Sequence, residues 1–431
     1  MIFVMVIISQ ASAERICQVL QEESTVQNPA QPVTDMADGS IEFDHVTFRY
    51  SDSSEKPVLD DINLKIRSGM TIGIVGGGQL GRMMALAAKY MGFRIGTLDP
   101  TPDCPTAQVA DFQIVADYDD QDAIHELAER SDVLTYEFEN VPGDILIPLV
   151  ERYNIPQGYH PLYDSQDRLR EKDNARRNGL LTPRYEAVDD EASLRAAVAS
   201  LGLPAVLKTR TLGYDGHGQA VLRTEEDIRR ALPMLSVPCI LEEFVPFDYE
   251  ASIVMVADAE RVVSFPVGRN VHRDGILDLC FVPAEMSAEL FGRMKRLSAE
   301  FMRRCGYEGI LAIEYFIRDG EFYFNEMAPR PHNSGHYTIE GCTTNQFREL
   351  ARYLLGLPLE EPRLVAPTVM KNILGQDLEA AQRIAAEDHD GVYVHIYGKT
   401  ESRPKRKMGH ITFVGMTPER YDWEWRDRFV R

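Results

Sequence analysis

Residues 310–336 read ILAIEYFIRDGEFYFNEMAPRPHNSGH. Two runs rich in apolar and aromatic residues, Ile310–Ile317 and Glu321–Asn325, flank the dipeptide Asp319-Gly320, and this pattern predicts a β-hairpin. Glu314 lies on one side of the turn and Glu326 on the other, at equal distances from residue 320. A symmetrical register would therefore place the two carboxylates opposite each other across the strands.

Two carboxylates in this position predict a cation site. Like charges repel unless a cation lies between them, and one or two carboxylates completed by phosphate oxygens are the usual protein ligands of Mg²⁺. Glu314 and Glu326 are therefore the candidate metal ligands, with Asn325 beside them. The alternative is a pair of exposed glutamates on opposite edges of the hairpin.

A second constellation precedes the hairpin. Lys208 lies in an apolar run that predicts a strand, and another strand is predicted after a glycine-rich loop. The loop reads Gly213-Tyr214-Asp215-Gly216-His217-Gly218-Gln219. Such a loop allows backbone N–H groups to close over phosphates while a nearby lysine adds positive charge. The alternative is an ordinary glycine-rich hairpin loop.

A third glycine-rich segment lies nearer the start of the chain. Gly76, Gly78 and Gly81 form a G-x-G-x-x-G pattern after the predicted strand Thr71–Val75, and Asp99 follows about 18 residues later. This is the fingerprint of a dinucleotide site, and a tight turn that needs glycine for packing is the alternative. The strand–helix alternation that follows predicts a small doubly wound α/β domain.

The same segment has the glycine spacing of a P-loop. A P-loop requires Lys and then Ser or Thr after its last glycine, for the phosphates and for Mg²⁺. Arg82 and Met83 occupy those positions, and Met83 has no hydroxyl. The sequence therefore excludes a working P-loop.

Composition limits the classes of function. The chain has 431 residues, 44% of them hydrophobic, which is typical of a multidomain globular protein. Its formal net charge of -21 is unfavourable for binding nucleic acid or an anionic membrane. The six cysteines are scattered without a CxxC pair, which predicts a reducing, cytoplasmic location. The apolar start, residues 1–8, lacks the basic residues of a signal peptide, so a buried or frayed helix end is the favoured interpretation.

Taken together, these motifs resemble the ATP-grasp superfamily and, within it, the 5-(carboxyamino)imidazole ribonucleotide synthase family of purine biosynthesis. The resemblance runs from about Thr71 to Phe413. Its carriers are the segments 76–83, 136–141, 213–216, 325–336, 397–399 and 405–410. It implies a Rossmann-like pre-ATP-grasp domain (70–165), an ATP-grasp domain (166–357) and a small, mostly-β C-terminal domain (358–431).

The resemblance implies an enzyme that uses ATP and bicarbonate to make carboxyphosphate and then carboxylates the amine of aminoimidazole ribonucleotide. The cofactors implied are ATP and Mg²⁺ or Mn²⁺, without NAD. The residues it assigns to ATP are Arg168, Lys208, Gly213, Tyr214, Asp215, Gly216, His217, Gly218, Gln219, Glu242, Glu243, Phe244, Val245, Glu250, His272, Asn325 and Glu326. Lys208, Asp215 and Arg330 are the candidates for catalysis.

The ribonucleotide is expected to meet a second set of residues in the same cleft. These are Gln79, Tyr214, Asp215, Arg330, His332, Asn333, Ser334, Lys399 and Arg406. Cations facing a phosphate monoester suit that role. One position departs from the family: His217 stands where Lys or Arg is usual, so we expect weaker phosphate binding that improves as the pH falls towards roughly 6.

The first residues of the chain do not fit this family. Residues 1–75 resemble the end of an ABC exporter's membrane region, its linker and the first strands of its nucleotide-binding domain. The carriers include 12–16, 41–43, 48–50 and 58–64. No Walker A, signature or Walker B motif follows, so residues 1–69 are expected to be a leader foreign to the enzyme.

Three alternatives remain beside the purine-pathway ligase. They are an ATP-grasp ligase for another acid or amine, an NAD-dependent dehydrogenase, and a transport-associated module or non-functional fusion. The resemblance also implies a homodimer, with small-molecule substrates and no nucleic-acid or membrane partner.

Overall fold

The computed structural model describes residues 2–21, 40–50, 56–66, 69–211, 213 and 218–429. Tyr214, Asp215, Gly216 and His217 of the predicted phosphate loop lie outside the described residues. The chain divides into two units, Met1–Ser68 and Gly69–Arg431.

The described residues of the first unit form one helix and one strand pair. These are α1 (Ile2–Gln21), β1 (Ile41–Phe48) and β2 (Leu59–Ile66), and the two strands are antiparallel. Register shifts interrupt the pairing on both sides of Val46, as the broken apolar alternation predicts. The apolar start belongs to α1 and Phe3 is 79% exposed, so of the two expected alternatives, a buried or a frayed helix end, burial is wrong. Among the described residues, no helix is long and apolar enough to cross a membrane.

A parallel α/β layer begins the second unit. Its strands are β3 (Thr71–Val75), β4 (Arg94–Leu98), β5 (Phe112–Ile114) and β6 (Val133–Tyr136), in the order β5-β4-β3-β6. Its helices are α2 (Gln79–Tyr90), α3 (Gln121–Glu129), α4 (Gly143–Arg152) and α5 (His160–Ser165). The strand order reverses at β3, and ligands of such sheets bind beyond the carboxyl ends of the strands at this point. Gly76 follows β3 there and Glu137 follows β6.

A four-stranded antiparallel sheet carries Lys208. Its strands are β7 (Tyr185–Val188), β8 (Ala205–Thr209), β9 (Gln219–Leu222) and β10 (Cys239–Glu243), in the order β7-β10-β8-β9. The helices of this region are α6 (Arg168–Arg177), α7 (Glu191–Leu201) and α8 (Glu225–Ala231). Lys208 pairs with Gln219 across β8 and β9. The glycine-rich loop therefore begins and ends next to this lysine.

A large antiparallel sheet forms the rest of the second unit. In the described part of the chain it has nine strands: β11 (Tyr249–Ala257), β12 (Val262–Ser264), β13 (Gly268–Arg273), β14 (Ile276–Val282), β15 (Gly309–Arg318), β16 (Glu321–Ala328), β17 (Thr368–Leu374), β18 (Val392–Ile396) and β19 (Lys407–Val414). The order is β16-β15-β11-β13-β14-β17-β19-β18, with β12 beside β11. The strands expected to form a separate small domain, β17 to β19, thus extend the same sheet beyond β14.

Five helices accompany the large sheet in the described residues. They are α9 (Ala288–Cys305), α10 (Thr338–Gly341), α11 (Gln346–Leu354), α12 (Leu378–Ala386) and α13 (Pro418–Glu424). Ser287 caps the start of α9, and Gly306 (φ 65) ends it in the left-handed conformation. Met294 and Phe301 of α9 pack in one buried cluster with Ile313 of β15. Because side chains alternate along a strand, the next residue, Glu314, points to the opposite face.

The register of the β15–β16 hairpin depends on a bulge. Pairing is regular as far as Tyr315 opposite Phe324, and continuing it would place Asn325 opposite Glu314. A register shift leaves Asn325 as the extra residue and brings Glu326 opposite Glu314. The predicted opposition of the two glutamates is therefore confirmed, but it requires a bulge that the prediction did not contain.

The hairpin turn provides a direct test of this geometry. Asp319 (φ 51) and Gly320 (φ 75) both have positive φ, as a type I′ turn requires. Gly320→Ala should lower the free energy of unfolding by about 1–2 kcal/mol, because an L-residue is strained at this φ. Urea unfolding measures the change.

Gly292, inside α9, is the matched control. A Cβ atom added at either Gly320 or Gly292 meets no heavy atom within 4 Å, so only the backbone conformation differs. Gly292→Ala should raise the stability by about 0.5–1 kcal/mol, since alanine is favoured within helices. Equal changes in the two variants would contradict the assigned turn.

Candidate active site

The predicted site residues of the second unit meet at one cavity of ≈ 1300 Å³. Those on its wall are Gln79, Arg168, Lys208, Gly213, Gln219, Glu242, Glu243, Phe244, Val245, Glu250, His272, Glu314, Asn325, Glu326, Arg330, His332, Asn333, Lys399 and Arg406. Gly218 and Ser334 are not on the wall. The cavity therefore joins the α/β layer, the four-stranded sheet and the large sheet.

The facing carboxylates are held unequally. Arg168 Nη1 donates a 2.8 Å hydrogen bond to Glu326 Oε2, and Asn270 Nδ2 lies 3.4 Å from Glu314 Oε1. Burial opposes ionisation of Glu326, but the adjacent Arg168 charge holds its pKa below the usual range. Burial and the negative charge of Glu326 raise the pKa of Glu314. Protonation of Glu314 therefore limits the negative charge of the pair until a cation replaces the proton.

This donor set fits a cation that arrives with a phosphate ligand. Within the described ranges, no group of three or more His, Cys, Asp or Glu side chains could hold a metal ion by itself. Mg²⁺ commonly takes only one or two carboxylates and completes its shell with substrate phosphates and water. Glu314 and Glu326 match that requirement.

A buried ionic network lies beside the carboxylate pair and was not predicted. Glu242 Oε2 accepts from Lys208 Nζ at 3.0 Å and lies 3.2 Å from Lys172 Nζ, which is fully buried. Lys172 also donates to the carbonyl of Asn325 at 2.9 Å. Burial lowers the pKa of Lys172 and opposes ionisation of Glu242, yet the two lysines keep the pKa of Glu242 below its usual value.

Helical spacing could have identified Lys172. It lies four residues after Arg168 on α6, so the two side chains occupy the same face of the helix. Helix α6 therefore supplies one cation, Arg168, to Glu326 and a second cation, Lys172, to Glu242.

Glu250 and His272 form a second acid–base pair on the cavity wall. The Oε2 atom of Glu250 contacts Nδ1 of His272 directly. Burial disfavours the charged imidazole, but the hydrogen bond to Glu250 and the nearby Glu314 charge outweigh it and raise the pKa of His272 to about 9. The His272 imidazole is therefore protonated near neutral pH.

The glycine turn after β3 is occupied by the protein's own carboxylates. Glu137 accepts from the backbone N–H groups of Gly78 and Gly81, the latter at 2.6 Å. Asp99 accepts from Gly77 N–H at 2.9 Å. A dinucleotide pyrophosphate would have to displace Glu137 from these donors. The geometry therefore favours the packing-turn interpretation over the dinucleotide one.

Residues 328–332, the APRPH segment, are held by one contact to a distant part of the chain and one to the residues that follow. Arg330 Nη2 contacts Glu139 Oε1, and the Ser334 hydroxyl lies 2.8 Å from His332 Nδ1. Ser334 is buried and supports the His332 ring, which differs from its expected direct contact with substrate. Burial and, to a smaller extent, the positive charge of Arg330 lower the pKa of His332 to about 3, so this imidazole is neutral.

Asn333 is linked to the C-terminal strands. Its side-chain amide exchanges hydrogen bonds of 2.9 and 2.6 Å with that of Asn372 on β17. Asn372 also donates to the carbonyl of Leu277 at 2.8 Å. Further along, Lys399 Nζ donates to the carbonyl of Lys407 at 2.7 Å. The loop after β18 thus brings Lys399, Arg403, Lys405 and Arg406 to the cavity wall from a different part of the chain.

Comparison with known protein families first defines the class. Residues 69–160 match the ribonucleotide synthetase preATP-grasp domain and residues 173–347 match the ATP-grasp domain. Residues 368–422 match the phosphoribosylaminoimidazole carboxylase C-terminal domain. The fold predicted from the sequence is confirmed: this is an ATP-grasp protein. These matches begin at residue 69 and give no support to the ABC-exporter resemblance of residues 1–75.

Individual relatives define the family. The chain is 42% identical over 354 residues to an N5-carboxyaminoimidazole ribonucleotide synthase of Staphylococcus haemolyticus, covering 81% of this chain and 94% of that protein. The Bacillus subtilis enzyme of the same name is 42% identical over 355 residues, covering 81% and 92%. The chain therefore belongs to the N5-carboxyaminoimidazole ribonucleotide synthase family.

Solved structures agree with this assignment. An ADP complex of an N5-carboxyaminoimidazole ribonucleotide synthetase superposes with a TM-score of 0.80 at 45% identity, covering 82% of this chain and 95% of the other. The Aspergillus clavatus enzyme in complex with ADP and 5-aminoimidazole ribonucleotide gives a TM-score of 0.77 at 28% identity, covering 84% and 97%.

Two buried histidines near the site predict a pH-dependent stability. Burial lowers the pKa values of His336 and His410, so both are neutral in the folded protein. Because they bind protons only when unfolded, their contribution is complete above the unfolded pKa of about 6.5 and is lost as the pH falls below it. Each histidine should lower the free energy of unfolding by about 1.4 kcal/mol as the pH falls from about 7.5 to about 5.5.

The variant His336→Asn isolates one of these contributions. Urea unfolding should show that it loses about 1.4 kcal/mol less than the unmodified chain between those two pH values. Between about pH 7.5 and 8.5 the two proteins should change equally, which serves as the control. An equal loss in acid would contradict a neutral, buried His336.

Proposed function

We propose that this protein catalyses the ATP-dependent carboxylation of 5-aminoimidazole ribonucleotide with bicarbonate. The observation that carries the proposal is one cavity with two chemically different halves. Lys208, Glu250 and the Glu314/Glu326 pair suit a nucleotide with its cation, whereas Lys399 and Arg406 suit a phosphate monoester. The named ligands of the Aspergillus clavatus complex, ADP and 5-aminoimidazole ribonucleotide, have this combination of chemistry.

The proposed reaction has two transfers. A bicarbonate oxygen attacks the γ-phosphorus of ATP, and ADP leaves, giving carboxyphosphate. The exocyclic amine of the ribonucleotide then attacks the carboxyl carbon, the new C–N bond forms, phosphate leaves and the amine loses a proton. The protein's task is to position the reactants, neutralise phosphate charge and exclude water from the mixed anhydride.

The individual roles follow from charge and position. Arg168 and Lys208 neutralise ATP phosphates, while residues 242–245 border the base and Glu250 accepts from the ribose hydroxyls. Arg330 orients the carboxyl group during transfer. Asp215 belongs to the loop outside the described residues, and its catalytic role remains a proposal from the sequence.

Glu314 and Glu326 are the proposed ligands of Mg²⁺ or Mn²⁺. When bound, the ion would neutralise charge on the ATP phosphates. Arg168 already offsets part of the charge on Glu326. The two carboxylates therefore suit an ion that is shared with ATP.

The remaining organisation is also a proposal. The catalytic chain is divided at about residues 165 and 357, acts as a homodimer and is located in the cytoplasm, which the six free cysteines support. Residues 1–69 form a leader outside the catalytic machinery. The family models support this exclusion, because none of the residues that they match precedes residue 69.

ADP release by the full chain tests the reaction. It should rise at least about tenfold over background only when bicarbonate and 5-aminoimidazole ribonucleotide are both present. Lys208→Met should reduce this rate by a factor of about 100 or more, because a desolvated phosphate contact is lost. A coupled assay of ADP measures both.

Two controls make the result decisive. Arg195→Met removes only exposed ion pairs with Glu191 and Glu225 and should leave the rate unchanged. Residues 70–431 alone should retain the full rate if the leader takes no part. A rate that ignores the ribonucleotide but responds to another amine would replace the proposed substrate with a different one.

A further inference from the structure

Both cations expected to face the ribonucleotide phosphate, Lys399 and Arg406, lie in one loop between β18 and β19. We propose that Tyr397, His410 and Gln108 are positioning residues that hold this loop and thereby set the affinity for the phosphate monoester. The inference rests on the proposed function for the identity of that ligand. None of the three is on the cavity wall.

A buried hydrogen bond closes the base of the loop. Tyr397 Oη lies 2.9 Å from His410 Nδ1, and both side chains are buried. His395 stacks on His410 with ring centroids 4.4 Å apart and planes at 10°. Tyr397 precedes Lys399 by two residues and His410 follows Arg406 by four. The contact therefore ties the two ends of the segment that carries both cations.

A second contact holds the loop from the α/β layer. Gln108 Nε2 donates to the carbonyl of Gly398 at 2.8 Å, and Arg82 Nη1 donates to Gln108 Oε1 at 3.0 Å. Arg82 is also anchored on the carbonyl of Pro105 at 3.0 Å. Gly398 has φ 75, and a Cβ atom there would overlap Gln108. Glycine is thus required next to Lys399 for both conformation and space.

His410 also connects the loop to the APRPH segment, which borders the same half of the cavity. His410 packs on His336 with ring centroids 4.8 Å apart. Gln346 donates to His336 Nδ1 at 3.2 Å and exchanges two 2.9 Å hydrogen bonds with the backbone of His332. The loop and the APRPH segment are therefore fixed to one buried polar cluster.

The two anchors should affect the affinity for the ribonucleotide but not the affinity for ATP. A loop that is already ordered does not have to be ordered by its ligand, so a phosphate monoester binds without that entropic cost. Loss of either anchor should weaken ribonucleotide binding. The residues of β8, β10 and β11 that are proposed to contact ATP are not part of either anchor, so the affinity for ATP should not change.

Two variants test the proposal in the full chain. Tyr397→Phe deletes only the buried hydroxyl, and Gln108→Ala deletes an exposed side chain. Each should raise the KM for 5-aminoimidazole ribonucleotide about three- to tenfold, with kcat and the KM for ATP within about twofold. Tyr315→Phe, which removes a buried hydroxyl 2.7 Å from Ser298, is the matched control and should leave all three parameters unchanged.

A second readout separates this inference from the proposed reaction. Ribose 5-phosphate, a phosphate monoester, should raise the melting temperature of the unmodified chain and of Tyr315→Phe more than that of either loop variant. If the unmodified chain shows no ribonucleotide-dependent turnover but this difference persists, the reaction fails and the positioning role stands. An unchanged KM in Gln108→Ala, or equal rises for ATP and ribonucleotide, overturns the positioning role even where Tyr397→Phe does not fold.

Discussion

The opposition of Glu314 and Glu326 is the constraint on which the rest of the site depends. Two carboxylates held across neighbouring strands repel, and the repulsion is strong where water is scarce. Helix α6 places the positive charge of Arg168 beside Glu326. Lys172, on the same face of the helix, forms an ion pair with Glu242, and Glu242 also pairs with Lys208. The two carboxylates face the cavity, where a nucleotide-bound cation would relieve their repulsion.

The large sheet transmits this arrangement to the second half of the cavity. The large sheet is hydrogen-bonded without interruption from β16 at one edge to β18 at the other. Asn333 and Asn372 join the segment after β16 to β17 by a reciprocal amide pair. The cation-bearing loop after β18 is thus part of the same rigid frame as the carboxylate pair, which suits an enzyme that must align two substrates.

Much of this could be predicted from the sequence because the relevant signals are local. The turn at Asp319-Gly320, the strand–glycine–strand pattern after Lys208 and the α/β alternation each depend on a few adjacent residues. The family motifs then placed the site in one cavity. Gly76 to Gly81 were ambiguous, since the choice between a ligand and a packing turn depended on Glu137, about 56 residues away.

The missed features depend on contacts between distant segments. Lys172 is an ordinary helix lysine until β10 and β16 bury it beside Glu242. Ser334 could have faced the substrate or the His332 ring, and only the folded segment decides between them. The bulge at Asn325 has no marker in the sequence. Residue type alone does not reveal such long-range choices.

Metal binding to the ADP complex tests the central claim most directly. Titration of Mn²⁺ into the full chain with ADP should show that Glu314→Gln and Glu326→Gln each weaken binding by about tenfold or more, because one charged ligand is lost. Glu321→Gln, at the other end of the same hairpin, should bind like the unmodified chain. Unchanged Mn²⁺ affinity in both Glu314→Gln and Glu326→Gln would contradict the claim that the bulged hairpin presents a cation site.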